Sequence, residues 1–350
     1  MEEKKINVAV IGFGLSGRVF HAPFLHIHDG FNLRTIVEWH GGSAKKIYPY
    51  VSIVKDYKEL LKDEKIELVV ISTPNIFHFE QARAVLESGK HVVIEKPVTP
   101  TAAEADELIK IAEQAGKKIF VYQNRRWDGD FKTVQQVVYN GYLGEILEYE
   151  AHFDRFAPGA RRSAWRDEPL PAGGVLFDLG PHLVDQALVL FGMPHSVFAD
   201  IRWQRAESKV DDYFELHLYY NRPKVILKAS VFVKEKGPHF ILHGTKGSFI
   251  KYGLDPQEEL LKEGAMPGPD EWGQDDPDYW GVLNAEMHGQ QFYGTLETEP
   301  GNYMGFYDNV YDVIRKGAAQ SVTPEEARNV IRIIELAFES DKQGRVLPVR

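Results

Sequence analysis

Cysteine is absent from the 350-residue sequence. Without thiols the chain cannot form disulfides, thiolate nucleophiles, iron–sulfur clusters or cysteine-ligated zinc sites. The chemistry of this protein must therefore use oxygen and nitrogen groups or a bound cofactor.

Long hydrophobic runs are absent as well. The most apolar stretch, residues 187–193, is far shorter than the roughly 20 residues that a membrane-spanning helix needs. The residues before the first apolar run, at 6–11, contain no signal-peptide core and no twin arginine. We therefore expect a cytoplasmic protein without a membrane partner.

An excess of basic residues is the third absence. The chain has 41 Lys and Arg residues against 51 Asp and Glu residues, a formal net charge of −10. Its basic pairs are too short to form the stripe that a phosphate backbone requires. They are Lys45-Lys46, Arg125-Arg126 and Arg161-Arg162. We expect no nucleic-acid partner.

The composition that is present is that of a soluble globular protein, with 43% hydrophobic and 26% charged residues. At roughly 150 residues per domain, the length predicts about two domains. In the first 122 residues, short β-branched runs alternate with helical patterns, which predicts a doubly wound parallel sheet. The runs are residues 6–11, 33–37, 68–72, 92–94 and 119–122.

The rest of the chain has a different rhythm. Helical patterns at 130–140 and 183–191 precede strand-like runs between 197 and 252 that are separated by short turns, which favours an antiparallel sheet. Residues 264–291, rich in Gly, Pro, Asp and Trp, indicate a long irregular excursion. We therefore predict an α/β protein with a Rossmann domain over residues 1–122 and a second domain over residues 123–350.

A glycine-rich loop follows the first predicted strand. Gly12, Phe13, Gly14 and Gly17 lie in the pattern G-x-G-x-x-G. The glycines of this pattern allow a tight turn, close approach of the backbone to a pyrophosphate, and close helix–strand packing. The next helix offers its free amides to the phosphates. Because the pattern opens a βαβ unit, it predicts a dinucleotide site rather than an ordinary surface turn.

Glu38 follows the second predicted strand, where dinucleotide-binding domains bind the adenosine ribose. A carboxylate there accepts hydrogen bonds from the ribose hydroxyls and repels a 2′-phosphate, which favours NAD over NADP. His40 and the Lys45-Lys46 pair lie nearby in sequence and are possible phosphate ligands. The alternative interpretation is that Glu38 is only a solvated strand end.

Lys96 lies in the segment Glu95-Lys96-Pro97, which closes a strand at the edge where open α/β sheets bind ligands. A lysine beside a nicotinamide can lose solvent, lower its pKa, and donate or accept a proton. The alternative is an ordinary surface lysine.

Asp178 and His182 form a second candidate pair, four residues apart. On one helix they would share a face. Gly180-Pro181 indicates instead a helix that begins near Pro181, with Asp178 just before it. In both cases the carboxylate can orient the imidazole and leave its other nitrogen for a hydroxyl proton. The alternative is a capping aspartate with a structural histidine.

Together these motifs resemble the glucose–fructose oxidoreductase/inositol dehydrogenase/rhizopine-catabolism (Gfo/Idh/MocA) family over essentially the whole chain. The resemblance rests on the glycine loop, Thr73-Pro74-Asn75 with His78, Glu95-Lys96-Pro97 and the Asp178–His182 pair. Further stretches are similar to the bacterial branch that contains NADP-dependent scyllo-inositol dehydrogenases. They are residues 20–24, 124–128, 154–156, 165–166 and 251–258.

The resemblance implies a Rossmann domain followed by an α/β domain for substrate binding and oligomerisation. The large, mostly antiparallel sheet of that second domain commonly forms the contact face of a homodimer or homotetramer. The implied catalytic set is Lys96, Asp178 and His182. The implied cofactor contacts are Gly12, Phe13, Gly14, Gly17, Thr73, Pro74, Asn75, His78, Glu95 and Lys96. Glu38 departs from the NADP-using branch, which tends to carry a small hydroxyl residue and an arginine there, so we favour NAD.

Four more residues are candidate substrate contacts, because their side chains can hydrogen-bond hydroxyls or stack on the C–H face of a sugar. They are Asn124, Arg155, Trp165 and Arg166. For Arg125 or Arg126 the alternative is an ion pair that supports the domain junction. We expect no metal site, since His26 and His28 lack a third ligand, and the cluster Asp275-Asp276-Pro277-Asp278 indicates a solvated loop.

The sequence thus predicts an NAD(P)-dependent dehydrogenase for a secondary alcohol of a cyclic polyol or sugar. His182 would take the hydroxyl proton, Asp178 would orient His182, and Lys96 would polarise the oxygen or share the proton relay. The cofactor supplies the difficult chemistry, and the protein supplies position and electrostatics. One alternative is a reductase of another carbonyl or imine compound. Another is a dinucleotide-sensing regulatory protein without catalysis, against which the joint presence of these three residues argues.

Overall fold

A computed structural model describes residues 4–39, 41–159, 168–268, 272–287 and 289–349. Within it the chain forms two units, each built on one sheet. The first unit comprises the chain up to Asn124 together with Gln257–Trp272 and Asn302–Arg328. The second comprises Arg125–Pro256, Gly273–Gly301 and the chain from Asn329 onward.

The first unit contains a six-stranded parallel sheet in the order β3-β2-β1-β4-β5-β6. Its strands are β1 (Ile6–Ile11), β2 (Phe31–Val37), β3 (Ser52–Val54), β4 (Leu68–Ile71), β5 (His91–Glu95) and β6 (Ile119–Tyr122). This is the Rossmann order, which confirms the predicted doubly wound sheet. The order reverses between β1 and β4, where sheets of this kind bind ligands at the carboxyl ends of their strands.

The second unit contains a nine-stranded sheet in the order β14-β13-β12-β11-β7-β10-β9-β8-β15. Its strands are β7 (Ile146–His152), β8 (Ser196–Arg202), β9 (Tyr213–Tyr219), β10 (Lys224–Ser230), β11 (Phe240–Gly244), β12 (Gly247–Lys251), β13 (Gly281–Met287), β14 (Gln290–Leu296) and β15 (Leu347–Pro348). β7 and β10 pair in parallel, and the remaining described pairs are antiparallel. The predicted antiparallel sheet is therefore confirmed.

Ten α-helices connect these strands in the described part of the chain. They are α1 (Ala22–Ile27), α2 (Ser43–Ile47), α3 (Tyr57–Leu61), α4 (His78–Glu87), α5 (Ala102–Ala115), α6 (Gly129–Tyr139), α7 (Val175–Phe191), α8 (Gln257–Lys262), α9 (Met304–Lys316) and α10 (Pro324–Gln343). Buried side chains of α6, α7 and the part of α10 from Val330 onward form the core of the second unit with the buried side chains of its sheet. No helix in these described ranges is long and apolar enough to cross a membrane.

The predicted irregular excursion over 264–291 is wrong in its second half, where β13 and the start of β14 form a hairpin. The side chains of β14 are mostly exposed, so this strand has no apolar alternation to mark it. β7 lies in the middle of the sheet and alternates buried Tyr149 and Ala151 with half-exposed Glu148, Glu150 and His152. Charged residues on the exposed face of such a strand break up the apolar run by which the strands of the first sheet are predicted.

Candidate functional site

The glycine loop connects β1 to a helical turn at Gly17–His21 that continues into α1. Gly12 has a φ of 95°, and a Cβ atom there would press on the Ser72 carbonyl. A Cβ atom at Gly17 would overlap the carbonyl oxygen of Gly12. At Gly14, by contrast, an added Cβ would meet no described atom within 4 Å. The first and third glycines are needed for the fold of the loop, and the second leaves its backbone open to a ligand.

This arrangement fits a dinucleotide pyrophosphate. The amides of the first helical turn have no partners within their own helix, and they follow directly on the open backbone at Gly14. The ring of Phe13 packs edge-on against Tyr48, with 6.3 Å between the ring centroids. The ring of Phe13 is therefore engaged in packing, and the role of Phe13 as a cofactor contact stays a prediction.

Glu38 directs its carboxylate into its own loop. Its Oε1 accepts hydrogen bonds from the Ser43 amide (3.0 Å) and the Ser43 hydroxyl (2.6 Å), and its Oε2 accepts one from the Ala44 amide (3.3 Å). Burial opposes ionisation, but these hydrogen bonds outweigh it and lower the pKa of Glu38 below its ordinary value. A negative charge therefore lies at the end of β2 and accepts hydrogen bonds from the amides that begin α2.

The segment after β4 is tied to the segment after β5. His78 is buried, with Nδ1 2.9 Å from the Pro97 carbonyl oxygen and Nε2 3.0 Å from that of Thr73. Burial lowers the pKa of His78, and its neutral ring donates to one of the two carbonyls. The Thr73 hydroxyl donates to Gln81 at 2.7 Å. Asn75 is also buried, in the 3₁₀ turn that Pro74 precedes. The role of these residues as cofactor contacts stays a prediction.

Glu95 ends β5 and binds three partners through one carboxylate. Its Oε1 accepts hydrogen bonds from His21 Nε2 at 2.9 Å and from the Ser16 hydroxyl. Its Oε2 accepts one from the backbone amide of Lys96 at 3.1 Å. Burial alone would favour the neutral acid, but His21, Ser16 and the Lys96 charge outweigh it and lower the pKa of Glu95 to about 2.

Sequence reasoning gave no role to Ser16 or His21 and did not identify Tyr307. The Tyr307 hydroxyl lies 2.6 Å from His21 Nδ1, although the two residues are 286 positions apart. No local pattern signals a contact over that separation. The signal that was present is His21 itself, a titratable residue directly after a glycine loop.

In the second unit, Asp178 and His182 both lie on α7, which includes Pro181. The prediction that a helix begins near Pro181 is therefore wrong, and the shared helical face is correct. α7 begins at Val175 because Asp211 satisfies its first amides. The backbone carbonyl of Asp211 accepts from the Val175 amide at 2.9 Å, and its carboxylate accepts from the Leu176 amide at 2.6 Å.

Two arginines pair with aspartates of α7. Arg155 Nη2 lies 3.4 Å from an Asp178 carboxylate oxygen. Arg126 forms a bidentate ion pair with Asp185, with both distances 2.7 Å. His182 is buried and Asp178 is half-buried. Arg155, a predicted substrate contact, is thus next to one predicted catalytic residue.

The other predicted residues divide into those that the structure describes and those that it does not. Asn124 is buried at the start of a 3₁₀ turn. Trp165 and Arg166 lie outside the described residues, as do His40 and the Arg161-Arg162 pair. Lys96 belongs to the first unit, and Asp178 and His182 belong to the second.

His26 and His28, the two histidines considered as metal ligands, each contact another side chain. His26 hydrogen-bonds Tyr50 at 2.7 Å, and His28 pairs with Asp308 at 3.1 Å. The predicted solvated loop at 275–278 is wrong for Asp275, because its carboxylate pairs with the buried ammonium of Lys251 at 2.7 Å. A buried lysine needs such a counter-charge.

Comparison with known proteins covers nearly the whole chain. Residues 6–123 match the model of an oxidoreductase family described as an NAD-binding Rossmann fold, and residues 135–350 match the model of its C-terminal alpha/beta domain. The chain is 40% identical over 342 residues to scyllo-inositol 2-dehydrogenase (NADP(+)) IolW of Bacillus subtilis, covering 98% of this chain and 95% of that protein. It is 28% identical to myo-inositol 2-dehydrogenase of Thermotoga maritima over 56% of this chain and 58% of that protein. The structure of the Bacillus subtilis oxidoreductase yvaA superimposes with a TM-score of 0.95 at 38% identity, over 100% of both chains.

Proposed function

The chain belongs to the Gfo/Idh/MocA oxidoreductase family, and from that premise we propose that it is an NAD(P)-dependent dehydrogenase of cyclic polyols or sugars. It would interconvert a secondary alcohol and the corresponding ketone. The observation that carries the proposal is the pair Asp178 and His182 on one face of α7, in a chain that also has the open glycine loop and Lys96 after β5. The names of the two inositol dehydrogenases support the substrate class.

In this proposal residues 1–122 bind the dinucleotide, and residues 123–350 bind the substrate and the partner subunit. The nicotinamide supplies the hydride acceptor or donor when it is bound. His182 takes the hydroxyl proton, Asp178 orients His182 together with Arg155, and Lys96 polarises the reacting oxygen or shares the proton. The substrate hydroxyls are bound by Asn124, Arg155, Trp165 and Arg166.

We propose NAD as the preferred cofactor. The carboxylate of Glu38 uses the amides of Ser43 and Ala44, which a 2′-phosphate would otherwise be able to bind. Its own charge repels that phosphate. The 40% identical relative is named for NADP, so Glu38 would separate the two proteins in cofactor choice. Glu38→Gln should raise the use of NADP relative to NAD.

The second unit would also form the contact of a homodimer or homotetramer. One face of its sheet is packed against helices, and the other carries half-exposed side chains such as Phe198, His217 and Ile226. Light scattering on the purified protein tests this part, and a monomer would overturn it.

The decisive experiment measures formation of reduced nicotinamide with NAD and with NADP across a panel of inositol isomers and aldoses. Turnover with an inositol supports the proposal, and the cofactor ratio tests Glu38. Lys96→Met should still bind NAD, yet its turnover should fall by orders of magnitude. Full activity of this variant would remove Lys96 from the mechanism. A wild type that binds the dinucleotide and turns over no polyol would favour a sensor, and one that binds no dinucleotide would refute the proposal.

A further inference from the structure

In the first unit the buried side chains of Tyr307, His21 and Glu95 form a row of hydrogen bonds, and the function proposed above gives no role to His21 or Tyr307. His21 and Tyr307 are both completely buried, and each nitrogen of the His21 ring has a partner. The ring of Tyr122 covers the imidazole, with 4.5 Å between the centroids. Burial of an imidazole and a phenol at this depth costs free energy unless their polar atoms are satisfied. The hydrogen bonds among Tyr307, His21 and Glu95 satisfy these polar atoms.

The proton positions in this row follow from its two ends. Glu95 is ionised and only accepts, so Nε2 of His21 carries a proton and donates to it. Burial raises the pKa of Tyr307 well above its ordinary value, so its hydroxyl keeps its proton. That hydroxyl lies 2.6 Å from Nδ1 of His21, so Tyr307 holds the ring in the orientation in which Nε2 faces Glu95.

Glu95 in turn connects two parts of the dinucleotide-binding region. One oxygen accepts from Ser16, which lies in the glycine loop, and the other accepts from the backbone amide of Lys96. His21 donates to the same oxygen as Ser16. Removing the His21 donor leaves a buried carboxylate that must gain a proton or turn toward water. Either change alters the contacts with Ser16 and Lys96 together.

We propose that His21, held by Tyr307, is a positioning residue that fixes the Glu95 carboxylate and thereby couples the glycine loop to the position of Lys96. This inference rests on the proposed dehydrogenase function. His21 itself makes no contact with the reacting atoms in this role. Its effect should therefore reach both dinucleotide affinity, through Ser16, and turnover, through Lys96.

Three variants test the coupling. His21→Leu fills the space without a donor, whereas the amide of His21→Gln has a donor for Glu95 and an acceptor for Tyr307. Tyr307→Phe removes only the hydroxyl. The matched control is Tyr50→Phe, which removes an exposed hydroxyl that also contacts a histidine Nδ1, at 2.7 Å on His26. Each protein is examined for thermal stability, for NAD affinity by calorimetry, and for kcat and KM with the polyol that the panel identifies.

We expect His21→Leu to weaken NAD binding about tenfold and to lower kcat about 100-fold, because displacements near 1 Å have effects of that size. The KM for the polyol should change less than kcat. His21→Gln should recover most of both losses, Tyr307→Phe should lose a few-fold in each, and Tyr50→Phe should match the wild type. Equal behaviour of His21→Leu and His21→Gln would overturn the proposal.

Folding failure of His21→Leu does not remove the test. In that case Tyr307→Phe decides, and NAD affinity and kcat equal to those of Tyr50→Phe would overturn the coupling. Calorimetry with NAD alone reports on Ser16 even where no substrate is identified. A wild type that binds neither NAD nor NADP refutes the proposed function itself, which distinguishes that failure from this one.

Discussion

Replacing Asp211 with Asn should stabilise the protein progressively as the pH rises. Burial raises the pKa of Asp211 from its ordinary 3.8 to about 7, against the hydrogen bond from the Leu176 amide. Below 3.8 the carboxyl is protonated in both the folded and the unfolded chain. Between these values only the unfolded chain loses the proton, so the stability that Asp211 contributes is lost as the pH rises through about 7.

The size of the effect follows from the shift. One pKa unit corresponds to about 1.4 kcal/mol, so the wild type should lose about 2–3 kcal/mol between pH 5 and pH 8 through this group. Asn keeps an oxygen that accepts from the Leu176 amide but does not titrate. Its free energy of unfolding should therefore gain on the wild type by that amount over this range. Asp211→Ala lacks the acceptor and should lose about 1 kcal/mol for the missing cap.

Urea unfolding at several pH values between 5 and 8 measures the difference between wild type and variant. Asp63→Asn is the control, because the hydrogen bond from the Lys65 amide lowers the pKa of Asp63 below its ordinary value. Its difference from the wild type should therefore stay constant between pH 5 and pH 8. A constant difference between Asp211→Asn and the wild type, or one that shrinks as the pH rises, would refute the reasoning.

Two further predictions concern the glycine loop and a buried phenol. Gly14→Ala should leave the melting temperature unchanged, because its methyl group enters open space, but it should abolish NAD binding, because the proposed pyrophosphate site needs that space. Gly17→Ala should lower both the melting temperature and the NAD affinity, because its methyl group overlaps the Gly12 carbonyl. Melting curves and calorimetry separate the two variants, and NAD binding by Gly14→Ala would contradict the proposed pyrophosphate site. Tyr149→Phe should raise the free energy of unfolding by about 1 kcal/mol, because the buried hydroxyl has no hydrogen-bond partner among the described residues; a loss of stability in chemical unfolding would count against this.

The features that could be predicted from the sequence are those carried by contiguous residues. The strands of the first sheet are short apolar runs because parallel strands are buried on both faces. The glycine loop and Lys96 are recognisable because their position depends on one strand and the turn that follows it. β14 could not be predicted in this way, since its exposed side chains impose no pattern.

The partners of the charged groups could not be predicted, because they come from distant parts of the chain. Glu95 lies 74 residues from His21, and His21 lies 286 residues from Tyr307. Glu38 illustrates the same limit at short range. Its position after β2 was predictable, but the hydrogen bonds to Ser43 and Ala44 depend on how the following loop folds back.

The start of α7 shows how tertiary structure overrides a sound local rule. An interior proline removes an amide donor and clashes with a preceding carbonyl, at a cost of about 3 kcal/mol, so Pro181 predicted a helix start. The helix begins at Val175 instead, because Asp211 accepts from its first two amides and only glycine fits at 174 beside that carboxylate. This start puts Asp178 and His182 on one helical face, one turn apart. The geometry of the proposed catalytic pair therefore depends on Asp211, a residue in a loop that no motif marks.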